Sequence, residues 1–235
     1  MTQKHKVIIV EGMIGAGKSQ LTAELGRELG EDTLTLMEPD EKDDANPYLA
    51  TFYEDPARWA FTMQMHLLGA RYRMHELAQW YVLAGKGDAV LDRSYFGDTC
   101  FARLQIRNGS MSRREFETYQ QMYHGMTAHV LLPNVCIRLL VSPETSNERI
   151  RNRMSEREGR TCEKAIDLQY LKDLDIEITH MTNVLRRQGV LILDVPWDVE
   201  RKSPEARKRA VEGLASRIRD YEPVDFFLDL HRRTI

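Results

Sequence analysis

Apolar and polar positions along this chain fall into two alternating kinds of segment. Short apolar-rich runs at Val7–Val10, Thr33–Met37, Ala89–Leu91, Val135–Val141 and Val190–Val195 predict five strands, mostly buried. Between them lie longer segments with helical apolar spacing. These are Leu21–Leu29, Pro56 to about Ala84, about Gly97–Ile106, Ser112–Thr127, a helix opened by Ser142-Pro143, Asp167–Gln188 and Ser203–Tyr221. Asp55 is placed to cap the second of these, with Pro56 at its first position, and Pro204 stands near the start of the last. The polar stretch Asp40–Asn46 reads as a surface loop. Strands that alternate with helices predict an α/β fold, a five-stranded parallel sheet with helices on both faces. No repeat or low-complexity linker divides residues 1–235, so one domain is expected. Ligands of such a sheet gather at the carboxyl ends of its strands.

Composition narrows the classes. Of 235 residues, 42% are hydrophobic and 29% charged, the balance of a globular protein. A net charge of −3 supplies no basic field for polymeric nucleic acid. No run approaches the ~18 apolar residues of a membrane span. The N-terminus enters its first strand at once, leaving no room for a signal peptide. Cys100, Cys136 and Cys162 lack C-x-x-C spacing, and the seven histidines form no ligand-spaced group. A reduced, cytoplasmic enzyme is the expectation.

The strongest local signal is Gly12-Met13-Ile14-Gly15-Ala16-Gly17-Lys18-Ser19, which fits G-x-x-x-x-G-K-[ST] without a mismatch. An apolar strand precedes it and a helix follows. Glycines let successive backbone N–H groups turn onto phosphate oxygens, and the helix points its positive end at the same anion. Lys18 offers a point charge for the β- and γ-phosphates, and Ser19 a hydroxyl ligand for Mg²⁺.

Other residues carry weaker signals. Asp92 ends the third strand, where phosphate-loop proteins keep a carboxylate for Mg²⁺, and Arg93 beside it could neutralise a transferring phosphoryl group. Glu38 ends the second strand and could accept a proton from an attacking hydroxyl, although alone it also reads as an exposed Glu before a turn. The arginines from Arg149 through Arg153 and Arg157 to Arg160 suit either a lid over phosphates or, with Glu148, Glu156 and Glu158 interleaved, a solvated helix face. Gln64 and Arg71, seven apart, share one face of the long helix. Trp59, Phe61 and Met63 along it are the residue types of a core.

Taken in order, MEPD, EDPARWAFTMQ, LDRSYFGD and RTCEKAIDLQYL after the phosphate loop resemble the deoxynucleoside kinase family over roughly Lys6 to Val195. The resemblance implies a P-loop kinase fold with an arginine-rich lid, about residues 153–165. It implies transfer of the γ-phosphoryl of ATP, with Mg²⁺, to the 5′-hydroxyl of a deoxyribonucleoside. Glu38 would then be the general base, and Arg93 would hold the hydroxyl and the phosphate, with Asp92 and Ser19 at the metal. Gln64 would pair with the base, with Trp59 and Met63 among the pocket walls. Tyr53 and Glu163 would contact the sugar, and Arg153 and Arg160 would close as the lid. Arg71 and Asp98 match a pair that thymidine-preferring members lack, which favours deoxyadenosine, deoxyguanosine or deoxycytidine. A homodimer, formed by helices beside the sheet, is also implied.

Departures are specific. The family mostly has Glu in place of Asp92 and Phe in place of Met63; Met154–Glu158 looks inserted, and the tail after Pro196 matches little. A thymidylate-type monophosphate kinase, the nearest rival, would place Arg before the Glu and Gly after the Pro; here Met37 and Asp40 stand there. A nucleotide switch would need N-K-x-D, which is absent.

Overall fold

A computed structural model describes residues 5–38, 46–156, 166–198 and 203–223, with backbone alone at 155 and 156. Its five strands are β1 (Val7–Glu11), β2 (Leu34–Leu36), β3 (Ala89–Asp92), β4 (Val135–Leu140) and β5 (Leu191–Pro196), all parallel in the order β2-β3-β1-β4-β5. The predicted strand at 33–37 is trimmed to three residues because, as an edge strand, it pairs with β3 alone. The central strands are locked in register by Val7 against Ala89 and Ile8 against Val135. The side chains of β1 and β3 are buried throughout, as continuous apolar runs between two helical layers require.

The crossovers sort the helices. From β1 the chain moves one way to β2, and from β2 through β3 and β4 to β5 it moves the other way. Right-handed connections therefore put α1 (Lys18–Leu29) on one face, and α3 (Pro56–Leu83), α4 (Asp98–Arg107) and α7 (Leu168–Arg187) on the other. The last helix, α8 (Pro204–Asp220), packs on α1 through Val211, Leu214, Ala215 and Ile218. Caps start the helices where local chemistry asks for them. Asp55 accepts from the Arg58 N–H at 3.2 Å with Pro56 at the first position. Ser112 and Glu115 form a reciprocal capping box on α5 (Arg113–Thr127).

Two buried clusters result. The large one lines both faces of the sheet. The smaller joins Phe52, Ala60, Met63 and Leu67 of α3 and a short helix, α2 (Leu49–Glu54), that the pattern did not reveal. Six residues are too few to show a 3.6-residue period. The core reading of Met63 holds, and Phe61 packs half-buried against the large cluster.

Candidate functional site

The loop between β1 and α1 lies at the carboxyl edge of the sheet, braced from behind by α6 (Pro143–Glu156). Gly15 has φ +78°, and a Cβ there would stand 2.7 Å from the Ser146 carbonyl oxygen and 3.0 Å from Ile150. Only glycine fits both the conformation and the space. Met13 and Ala16 are buried, Ile14 and Gly17 partly so, and Ala16 N–H closes a turn on the Met13 carbonyl at 3.2 Å. Gly12, also at positive φ, opens the loop. Lys18 Nζ donates to the Met13 carbonyl at 2.8 Å. Burial, then the nearby Arg93 charge, lower the Lys18 pKa to about 7 against the pull of Asp92 and Glu38. Arg149 donates to the carbonyls of Ala16 (3.2 Å) and Trp197 (3.1 Å), so it ties the loop to the end of β5. Arg149, the first of the arginine run and outside the expected lid at about 153–165, is thus a brace, because α6 packs directly on the loop.

Across the cleft, residues distant in sequence converge on Glu38, two positions past β2. Arg93 Nε donates to Glu38 Oε2 at 2.8 Å, and Arg71 Nη2 donates to Oε1. Arg71 also ion-pairs with fully buried Asp98 at the start of α4. Asp98 Oδ2 accepts from Gln64 Nε2 and from the Tyr119 hydroxyl, both at 2.7 Å. Burial would raise the Glu38 pKa, but Arg93 and Arg71 win and hold it at about 2. Asp98 goes the other way, raised by burial despite Arg71. Phe101, on the next turn of α4, lies 4.7 Å from the Arg93 guanidinium and 5.3 Å from that of Arg71. Two polar atoms in this cluster are buried without a partner, Gln64 Oε1 and Arg71 Nε. Asp98, an acceptor only, must face the Gln64 amide N–H, which leaves the amide oxygen turned away.

Asp92 sits between these halves. It is 3% exposed, it lies close to the Ser19 hydroxyl, and its Oδ1 has no hydrogen-bond partner. Burial raises its pKa against the nearby Lys18. A buried orphan carboxylate oxygen beside a loop hydroxyl is a donor set suited to Mg²⁺.

Of the remaining sequence candidates, Met63 is in the smaller cluster, and Tyr53 and Trp59 pack partly buried against it. The Trp59 ring tilts against Tyr48 at 5.8 Å and carries the Arg58 guanidinium at 4.7 Å. Arg153 is on the last turn of α6. Arg160 and Glu163, with most of the expected lid, lie outside the described residues. Sequence reasoning missed Glu11, Phe101, Tyr119 and the bracing role of Arg149. Phe101 could have been found from its three-residue offset from Asp98; Tyr119 has no such signal.

The model of the family described as deoxynucleoside kinase matches residues 8–218. The chain belongs to the deoxynucleoside kinase family. The match extends past the Lys6–Val195 span of the sequence resemblance and takes in most of α8, which has amphipathic spacing but no motif. Among curated relatives, a deoxyguanosine kinase of Dictyostelium discoideum is 34% identical over 82% of this chain. A deoxyadenosine kinase of the same organism is 34% identical over 71%. The chain spans 64% and 62% of the lengths of these two proteins. A deoxyadenosine/deoxycytidine kinase of Bacillus subtilis is 33% identical over 73% of this chain and 74% of its own. A solved structure of deoxyadenosine kinase from M. mycoides with bound dATP superposes with a TM-score of 0.70 at 25% identity, covering 89% of this chain and 99% of the other. The P-loop kinase fold is thereby established. Among the described residues no helix is long and apolar enough to cross a membrane.

Proposed function

We propose that this protein transfers the γ-phosphoryl group of ATP to the 5′-hydroxyl of a deoxyribonucleoside, acting as one domain. The observation that carries the reading is the Arg71–Glu38–Arg93 bridge beside the phosphate loop. It gives a carboxylate for the attacking hydroxyl and a guanidinium for the phosphate within one hydrogen-bonded group. Glu38 is the general base, ionised throughout the working pH range, and takes the proton as the 5′-oxygen bonds to phosphorus. Arg93 neutralises charge on the transferring phosphoryl group, and Lys18 charge on the β- and γ-phosphates. Ser19 and Asp92 would hold Mg²⁺, which when bound neutralises further phosphate charge. Tyr53 and Glu163 are assigned to the sugar, and Arg153 and Arg160 to the lid.

Gln64 Oε1 and Arg71 Nε supply one buried acceptor and one buried donor for a base edge. With the Arg71–Asp98 pair, and relatives named for purine deoxynucleosides and deoxycytidine, they support those bases over thymidine. Trp59 and Met63 wall the base. A homodimer through α3 fits the stripe Leu77, Trp80 and Leu83, each at least half exposed at helical spacing. The free, buried thiols Cys100 and Cys136 suit a reducing cytoplasm.

The test is phosphate transfer from ATP·Mg²⁺ to each of the four deoxyribonucleosides, with dTMP and dCMP in parallel. Monophosphate from a purine deoxynucleoside or deoxycytidine is expected. Product from the monophosphates alone would make it a monophosphate kinase. No acceptor product at all would leave a nucleotide-binding protein.

A further inference from the structure

Glu11 ends β1 immediately before the phosphate loop and is fully buried, yet it has no part in the proposed transfer. Its Oε1 accepts from Ser94 Oγ at 2.6 Å, and the same Ser94 oxygen accepts from the Gly97 N–H at 2.9 Å. Its Oε2 has no hydrogen-bond partner. A Cβ on Gly97 would overlap the Glu11 carboxylate, so the helix start is fitted around this group. The segment so held carries two residues of the acceptor half. Arg93 precedes Ser94 and, with φ +66°, is the only non-glycine residue at positive φ among the described residues. Its N–H donates to the Val10 carbonyl at 3.0 Å, next door to Glu11. Asp98 follows Gly97. A left-handed arginine persists only where its surroundings hold it, and here the end of β1 holds it from both sides. Burying a carboxyl in this position costs more than an apolar side chain of equal size would, so space-filling alone does not account for it.

We propose that Glu11 is a positioning residue: through Ser94 and Gly97 it fixes the turn that aims Arg93 at the phosphoryl group and Asp98 at the base. The inference rests on the functional reading of Arg93 and Asp98, so Arg93→Ala serves as the reference. Loss of turnover in Arg93→Ala supports that reading; an active Arg93→Ala would overturn both.

Glu11→Leu fills the same volume without an acceptor. It should keep the thermal midpoint and hold the KM for ATP within ~3-fold, while kcat falls ~30-fold or more. The kcat/KM preference for the best deoxynucleoside over thymidine should shrink with it. Glu11→Gln, whose amide oxygen still accepts from Ser94, should recover most of the turnover. Ser94→Ala combined with Glu11→Leu should be no worse than the worse single variant. A Glu11→Leu enzyme within ~3-fold of wild type while Arg93→Ala is dead would overturn the inference alone. So would a loss that follows a falling thermal midpoint and that Glu11→Gln does not reverse. Should Glu11→Leu fail to fold, Ser94→Ala provides the second test. It should lower kcat ~10-fold or more while the KM for ATP holds within ~3-fold; turnover within ~3-fold of wild type would overturn the inference.

Discussion

The proposed donor side of the site presents the consecutive residues Gly12–Ser19, whereas the proposed acceptor side draws Glu38, Gln64, Arg71, Arg93 and Asp98 from separate elements. The first is a backbone device. Its geometry follows from glycine placement and a helix start, and its one buried cation donates to a carbonyl five residues away. The second is a charge device. Two buried guanidinium groups and two carboxylates neutralise one another across stretches of chain up to 60 residues apart, from Glu38 to Asp98. An isolated member would be an uncompensated buried charge, so truncating one member of this half should cost stability as well as turnover, while trimming Lys18 in the loop should cost turnover alone.

The largest effect should come from the donor side. Lys18→Ala should lower kcat/KM ~10³-fold or more with the thermal midpoint nearly unchanged. The free enzyme should also lose kcat/KM for ATP as pH rises past about 7, where Lys18 surrenders the charge that phosphate requires. Lys18→Arg should remove that alkaline limb; its persistence would assign the limb to another group.

Glu38→Gln should lower kcat on the order of 10²-fold, with little change in KM for the nucleoside. Since Arg93 and Arg71 hold the Glu38 carboxyl at about 2, a pH profile of kcat/KM should show no acid limb from this residue above pH 4. An acid limb near pH 5 that Glu38→Gln abolishes would mean the carboxylate is released from the arginines before catalysis.

Next in size is base choice. Arg71→Met with Asp98→Ala should shift the ratio of kcat/KM between the preferred base and thymidine ~10-fold or more. Arg71→Met alone should lower the thermal midpoint further than the double variant, because it strands the buried Asp98 carboxylate that the double variant removes, while Glu38 keeps Arg93 in both. Equal midpoints would break the contrast between a charge device and a backbone device.

The smallest effect belongs to a group outside both halves. Buried His75 holds the Leu131 carbonyl at 2.8 Å, and burial lowers its pKa to about 4 despite that bond. As pH falls from about 6.5, the unfolded chain takes up a proton that the folded one refuses, so stability declines toward pH 4. The loss should be on the order of 1–2 kcal/mol between pH 7 and 5, read by denaturant unfolding. His75→Gln should flatten that slope without changing base choice.

How far the sequence could be read follows the same division. Strand and helix positions were legible because apolar periods of two kinds alternate, and α3 ran over Pro56–Leu83 as its cap and proline foretold. The helix α2 was not, being shorter than two turns. Glu38 alone read as an exposed residue before a turn, and only the resemblance lifted it; spatially it is pinned between two arginines. Trp59 was assigned to the base, yet its ring also packs on Tyr48, which opens the unforeseen helix α2.

By itself, then, the chain determined what depends on neighbours within a turn or two: strands, helix starts, and a loop of backbone donors closed by Lys18. It also determined, through motifs taken in order, the family. Only the tertiary structure decided which charges meet. It drew Arg71 between Glu38 and Asp98, set Tyr119 on Asp98, made Arg149 a brace, and buried Glu11 under the Arg93 turn. Local spacing is written in the sequence one residue at a time. Electrostatic compensation is set by distances in space, and those exist only once the sheet has assembled.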